Sequence, residues 1–153
     1  MEGVQPTVAC EGRWRALMTR GCSVYNQWRI FGEIILKEIE ISPQPSYLGK
    51  QQNQYAFAYE ITITNRSDIA IQLLNRHWII THGNGYIEEV RGEGVVGLKP
   101  RLEPGESFTY TSGALIPTRS GSMSGSYEFT TDQGKRFRVA IPEFVLAAPE
   151  SLH

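Results

Sequence analysis

Three glycines stand in a G-x-G-x-x-G arrangement, Gly92, Gly94 and Gly97, inside the run Val90 to Pro100, VRGEGVVGLKP. The basic residues Arg76, Arg91, Lys99 and Arg101 combine with them. The chemistry this suggests is phosphate recognition. Backbone N–H groups of a Gly-rich turn form an anion-binding concavity, and guanidinium or ammonium groups nearby strengthen it. Around a dinucleotide, three such glycines serve a tight turn, close approach of backbone to pyrophosphate, and packing of a helix whose N-terminus holds the phosphates. No helix is expected here. Pro100 disfavours helical geometry at Lys99, Pro104 and Gly105 follow soon after, and no 3.6-residue apolar period appears between them. Two readings of the loop remain. In one, Gly92, Gly94, Gly97, Arg76, Arg91 and Lys99 hold a phosphate or pyrophosphate. In the other, which is favoured, Glu93, Glu103 and Glu106 neutralise the bases as solvated pairs worth little each.

Other constellations are sparse. The three histidines, His77, His82 and His153, show no H-x-x-x-H spacing, and there is no C-x-x-C, so a zinc site is not expected. The nucleophile elbow G-x-S-x-G is absent; Gly121-Ser122 and Ser124 sit in a strand-like context. Glu88 and Glu89 are adjacent and point to opposite faces of any strand, so they do not form a cooperating carboxylate pair. The expectation is no catalytic residue, no cofactor and no metal.

The elements that position these residues read as strands. Tyr55, Phe57, Tyr59, Ile61 and Ile63 alternate with Ala56, Ala58, Glu60, Thr62 and Thr64, the pattern of a half-buried strand. Upstream, Ile34 to Ile41 is β-branched and is expected to break at Ser42-Pro43. Downstream, Asn65-Arg66-Ser67-Asp68 turns into Ile69 to Ile80. In that segment Ile69, Ile71 and Leu73 share one parity and Leu74, Trp78 and Ile80 the other, which predicts a bulge or kink at Leu73-Leu74. Asn84-Gly85 is a strong hairpin signal, and Pro104-Gly105 and Asp132-Gln133-Gly134 mark further turns. The aromatic residues Tyr55, Tyr59, Trp78, Phe108, Tyr110, Tyr127 and Phe137 fall on inward parity as a core. Seven or so strands without a convincing helix read as all-β: a fibronectin type III or immunoglobulin-like antiparallel β-sandwich.

Composition narrows the class. The 153 residues suit one domain, and 15 basic against 16 acidic residues leave a net charge of −1. That balance provides no field for nucleic acid or an anionic membrane, so neither is an expected partner. Cys10 and Cys22 are the only cysteines, too few for a disulfide framework, which suits a reducing, cytoplasmic setting. No apolar run reaches the roughly 18 residues of a membrane helix, and no signal-peptide h-region is present. Residues 1–33 read as an N-terminal extension, either loosely ordered or the product of a start assigned too early; residues 34–153 read as the domain.

The motifs assembled so far carry a resemblance. YAFAY at Tyr55–Tyr59, QLLNRHWII at Gln72–Ile80, GEGVVG at Gly92–Gly97 and PGESFTY at Pro104–Tyr110 resemble the ApaG family, continuing through TSG at Thr111–Gly113, GSMSGSY at Gly121–Tyr127 and IPEF at Ile141–Phe144. The resemblance implies a fibronectin type III-like sandwich. For bacterial members it implies a cytoplasmic domain associated genetically with diadenosine tetraphosphate hydrolysis and with cobalt and magnesium tolerance. Eukaryotic relatives carry a similar domain in certain F-box proteins and in a DNA polymerase delta-interacting protein, where it resembles a protein-interaction module. No catalytic residue carries over. The expected function is a non-enzymatic module for an unknown protein partner, with a phosphate or nucleotide binder as the alternative and edge-strand homodimerisation open.

Overall fold

The period-two alternation that runs through the sequence becomes eight antiparallel strands in the computed structural model, which describes residues 38–149. The extension expected over residues 1–33, both cysteines and His153 lie outside the described residues. The strands are β1 (Ile39–Gln51), β2 (Gln54–Asn65), β3 (Ile71–His82), β4 (Ile87–Glu93), β5 (Arg101–Leu102), β6 (Ser107–Ile116), β7 (Ser120–Thr131) and β8 (Arg136–Ala147). One sheet has the order β1-β2-β6. The other has β4-β3-β7-β8, with the two-residue β5 pairing the start of β3. The antiparallel sandwich expected from the sequence is therefore the fold. Among the described residues no helix is long and apolar enough to cross a membrane.

The core lies where inward parity put it. Phe57, Ile61 and Ile63 of β2 and Tyr127 and Phe129 of β7 are at most 1% exposed. Tyr59 of one sheet meets Trp78 of the other edge-on at 5.3 Å, and Trp78 is T-shaped against both Tyr127 and Phe144. Such aromatic pairs add about 0.5–1.5 kcal/mol each beyond the area they bury. Tyr55, Phe108 and Phe137 share the inward parity but sit at its margins, half-buried.

The expected break at Ser42-Pro43 does not occur. β1 runs through Pro43 and Pro45, which stand opposite Ile61 and Tyr59 of β2. β1 is an edge strand, so two residues of one parity can lack N–H groups on the side away from β2 without losing a ladder bond. The bulge predicted at Leu73-Leu74 is present: the β3–β7 register skips Leu74, pairing Leu73 with Phe129 and then Asn75 with Glu128. Its effect is to reset parity, so that Arg76, Trp78, Ile80 and His82 alternate toward the interior and Asn75, His77, Ile79 and Thr81 toward the outside. A second constraint acts on β7. A Cβ at Gly125 would lie 2.0 Å from the backbone oxygen of His77, so only glycine lets β7 approach β3 there.

Candidate functional site

Asn84-Gly85 turns β3 into β4, with Gly85 at φ 91° and its N–H bonded to the His82 carbonyl. β4 then ends in the glycine loop, and two of the three glycines are required by geometry. Gly94 has φ 65° and a Cβ there would sit 2.4 Å from the Leu98 carbonyl oxygen. Val96 and Gly97, at φ 44° and 79°, form the two central residues of a type I′ turn closed by reciprocal backbone bonds between Val95 and Leu98. Val95 is buried beneath it. Three of the loop's N–H groups are engaged internally: Gly94 donates to Leu74 at the bulge, and Val95 and Leu98 to each other.

Arg76 explains the remaining glycine. On the inward parity set by the bulge, it stands opposite Tyr127 on one side and Gly92 on the other. Its guanidinium lies over Gly92, where a Cβ would meet it at 2.8 Å. Nη1 donates to the carbonyls of Glu93 at 2.9 Å and Gly94 at 2.8 Å. Arg76 thus holds the loop by its carbonyls. Deeper in, the Tyr110 and Tyr127 hydroxyls share a hydrogen bond of 2.5 Å. Burial pushes the Tyr110 phenol up to about 12 and raises Tyr127 further, so both are neutral O–H groups at physiological pH.

The other expected bases are paired. Lys99 Nζ is 3.1 Å from Glu93, and Arg91 is 3.1 Å from Glu89. Arg101 pairs with Glu103 and, at 2.8 Å, with Asp132. Glu106 instead accepts the Glu103 N–H, at 2.8 Å.

Beside this loop, the outer face of the five-stranded sheet carries a depression of about 370 Å³. Cross-strand register builds it from two adjacent rows: Glu93, Asn75, Glu128 and Arg138, and Arg91, His77, Ser126 and Ala140. Ser126 is small, and it leaves a low floor between longer neighbours. Asn75 donates to Glu128 at 2.7 Å, and the His77 imidazole bonds Glu89 at 3.1 Å. That bond, with Arg91 beside it, holds the Glu89 carboxyl below its ordinary range. Arg138 pairs with no acid among the described residues.

Of the six residues expected to form a phosphate loop, the depression brings together Arg76, Arg91 and Gly92. Gly94 and Gly97 shape the turn, and Lys99 lines a separate hollow of about 410 Å³ with Leu98, Pro100, Leu102 and Phe108. Sequence reading missed Asn75, Ser126, Glu128 and Arg138. Their alternation was visible, but which strand neighbours which was not. His77 stands opposite Ser126 across β3 and β7, and its imidazole bonds Glu89. Among the described residues no group of three His, Cys, Asp or Glu could hold a metal ion.

Fold and face together define a small antiparallel β-sandwich domain with an open, polar outer surface. Residues 45–131 match the ApaG domain family model. The chain is 50% identical over 119 residues to Protein ApaG of Dechloromonas aromatica, covering 75% of this chain and 94% of that protein. It is 52% identical over 120 residues to Protein ApaG of Nitrosomonas eutropha, covering 76% and 94%. Among solved structures it is similar to the putative ApaA protein from Bordetella pertussis, with a TM-score of 0.70 and 46% identity over 74% of this chain and 95% of that one. The chain belongs to the ApaG domain family.

Proposed function

We propose that this domain is a non-enzymatic protein-binding module that receives a partner's polar surface on the outer face of its five-stranded sheet. The observation that carries this reading is the depression over Ser126. It is an open depression, and among the described residues the Arg138 guanidinium there forms no ion pair, while Arg91 is partly engaged by Glu89. Guanidinium groups offer forked donors matched to carboxylates, and Arg is enriched at protein interfaces. The acids Glu93 and Glu128 on the same face favour a partner surface of mixed charge over a bare polyanion. The association with diadenosine tetraphosphate and with cobalt and magnesium tolerance that the family resemblance implies is then indirect, exerted through the partner.

A phosphate-bearing small molecule is the second reading. With Gly94, Val95 and Leu98 engaged internally, the groups to hold it are the Val96 and Gly97 N–H groups of the turn and the side chains of Arg91 and Arg138. Two measurements separate the readings. Affinity capture with the wild-type chain and with Arg138→Glu as bait should recover a partner only with the former. An amide NMR titration with pyrophosphate, ATP and diadenosine tetraphosphate, with and without magnesium, should leave Arg91 to Lys99, Ser126 and Arg138 unmoved at millimolar ligand. Saturable shifts confined to those residues would replace the protein partner with the phosphate ligand.

A further inference from the structure

Each sheet ends on the same open side of the sandwich in a strand with one unpaired edge, β4 in one sheet and β6 in the other. The two edges differ in composition. β4, IEEVRGE, carries Glu88, Glu89, Arg91 and Glu93, the charges by which natural edges avoid adventitious pairing. β6, SFTYTSGALI, spans ten residues with no charge and no proline. Among the described residues its only strand partner is β2. We propose that β6 pairs antiparallel with β6 of a second copy, joining the two three-stranded sheets into one sheet of six across a two-fold axis.

Three observations converge on a second copy as the occupant. First, an uncharged edge is best matched by an uncharged strand, and β6 supplies one to itself. Second, the exposed apolar residues lie at its two ends. Leu115 is 51% exposed near one end, and Leu98, 53% exposed, lines the hollow with Phe108 at the other. An isologous pairing centred on Thr111 sets Leu115 of each copy opposite Ser107 of the other, at the mouth of that hollow. Third, the inward residues of β6 at the open side, Phe108, Ser112 and Ala114, are only half-buried. In the same register Phe108 faces Ala114 and Tyr110 faces Ser112, so each copy covers these residues of the other. The outer hydroxyl pairs already present, Thr62 with Thr109 and Thr64 with Ser107, keep the outer face of β6 itself uncharged, the nearest charge in its central row being Glu60, one strand away.

The proposal concerns the three-stranded sheet and stands apart from the outer-face reading of the other sheet. Its test is sedimentation equilibrium of the full chain from about 1 µM to about 500 µM, a range set by the modest area of a single strand pair. Reductant keeps Cys10 and Cys22 from cross-linking copies. The wild type should pass from 17.2 kDa toward twice that mass with rising concentration. Thr111→Lys sets two ammonium groups opposite each other on the axis while giving Glu60, its neighbour in β2, an opposite charge within the same sheet. It should weaken association at least tenfold with melting temperature held. Leu115→Asp, at the far end of the strand, should do the same. Ile87→Lys on the β4 edge should leave the mass unchanged. A chain that stays at 17.2 kDa throughout overturns the proposal. So does a dimer indifferent to Thr111→Lys and Leu115→Asp, and so does one dissociated by Ile87→Lys.

Discussion

The glycine loop and the depression beside it share Arg76, Arg91, Gly92 and Glu93, yet they dispose of polar groups in opposite ways. In the loop several donors and acceptors are used within the molecule: Gly94 N–H on Leu74, Val95 and Leu98 on each other, and the Glu93 and Gly94 carbonyls on Arg76. In the depression Arg138 forms no ion pair among the described residues, beside the small Ser126. A buried or bent backbone must satisfy its own groups, whereas a sheet's outer face has water to do so and can keep donors in reserve. The glycine pattern thus has an architectural role in the bend of the loop, and the proposed recognition falls on the polar face beside it.

The contrast predicts a graded set of effects. Gly94→Val combines a left-handed φ with a 2.4 Å approach to the Leu98 carbonyl, so it should cost about 3 kcal/mol or more in urea unfolding. A near-neutral result would remove the architectural reading of the loop. Arg76→Ala should cost about 2 kcal/mol, because it strips a charged donor from two carbonyls. Val96→Asn should run the other way. A β-branched residue at φ 44° is strained, and Asn-Gly is the favoured pair for this turn, so about 1 kcal/mol of added stability is expected in thermal melts. Arg138→Ala should change stability by less than ~0.5 kcal/mol, and a larger loss would mean that the depression too is built for the fold. The smallest effect concerns acid. The Glu89 carboxyl is held low by His77, so its contribution is present above its ordinary value of 4.5 and is lost as pH falls through the lowered one. Glu89→Gln should slightly flatten that acid limb in a pH series of melting temperatures.

Local features were legible where one strand or turn decides them. The parity switch at Leu73-Leu74 announced the bulge, and Asn84-Gly85 announced its hairpin, because both follow from backbone sterics within a few residues. The Val96-Gly97 turn was not legible, since Val is a poor residue for positive φ and only the closure of Val95 on Leu98 reveals it. Pro43 misled for a related reason: whether proline ends a strand depends on whether the strand lies at an edge, and that is a property of sheet order. The depression lay furthest from view. Arg138 shares a row with Asn75 and Glu93 only through four strands in register, and alternation within each strand does not say which rows meet. Arg76 was singled out for its charge, but its inward placement depended on the bulge two residues before it.

Pro43 and Pro45 bear on growth as well as on folding. They remove two N–H donors from the outward edge of β1, which is the far edge of the sheet that ends in β6. A strand stack can lengthen without limit only if both of its borders accept another chain. Here one border is blocked by the covalent chemistry of the chain itself, so a sheet extended at β6 has nowhere further to go, and its arithmetic stops at two copies where an unblocked sheet would continue into a fibre.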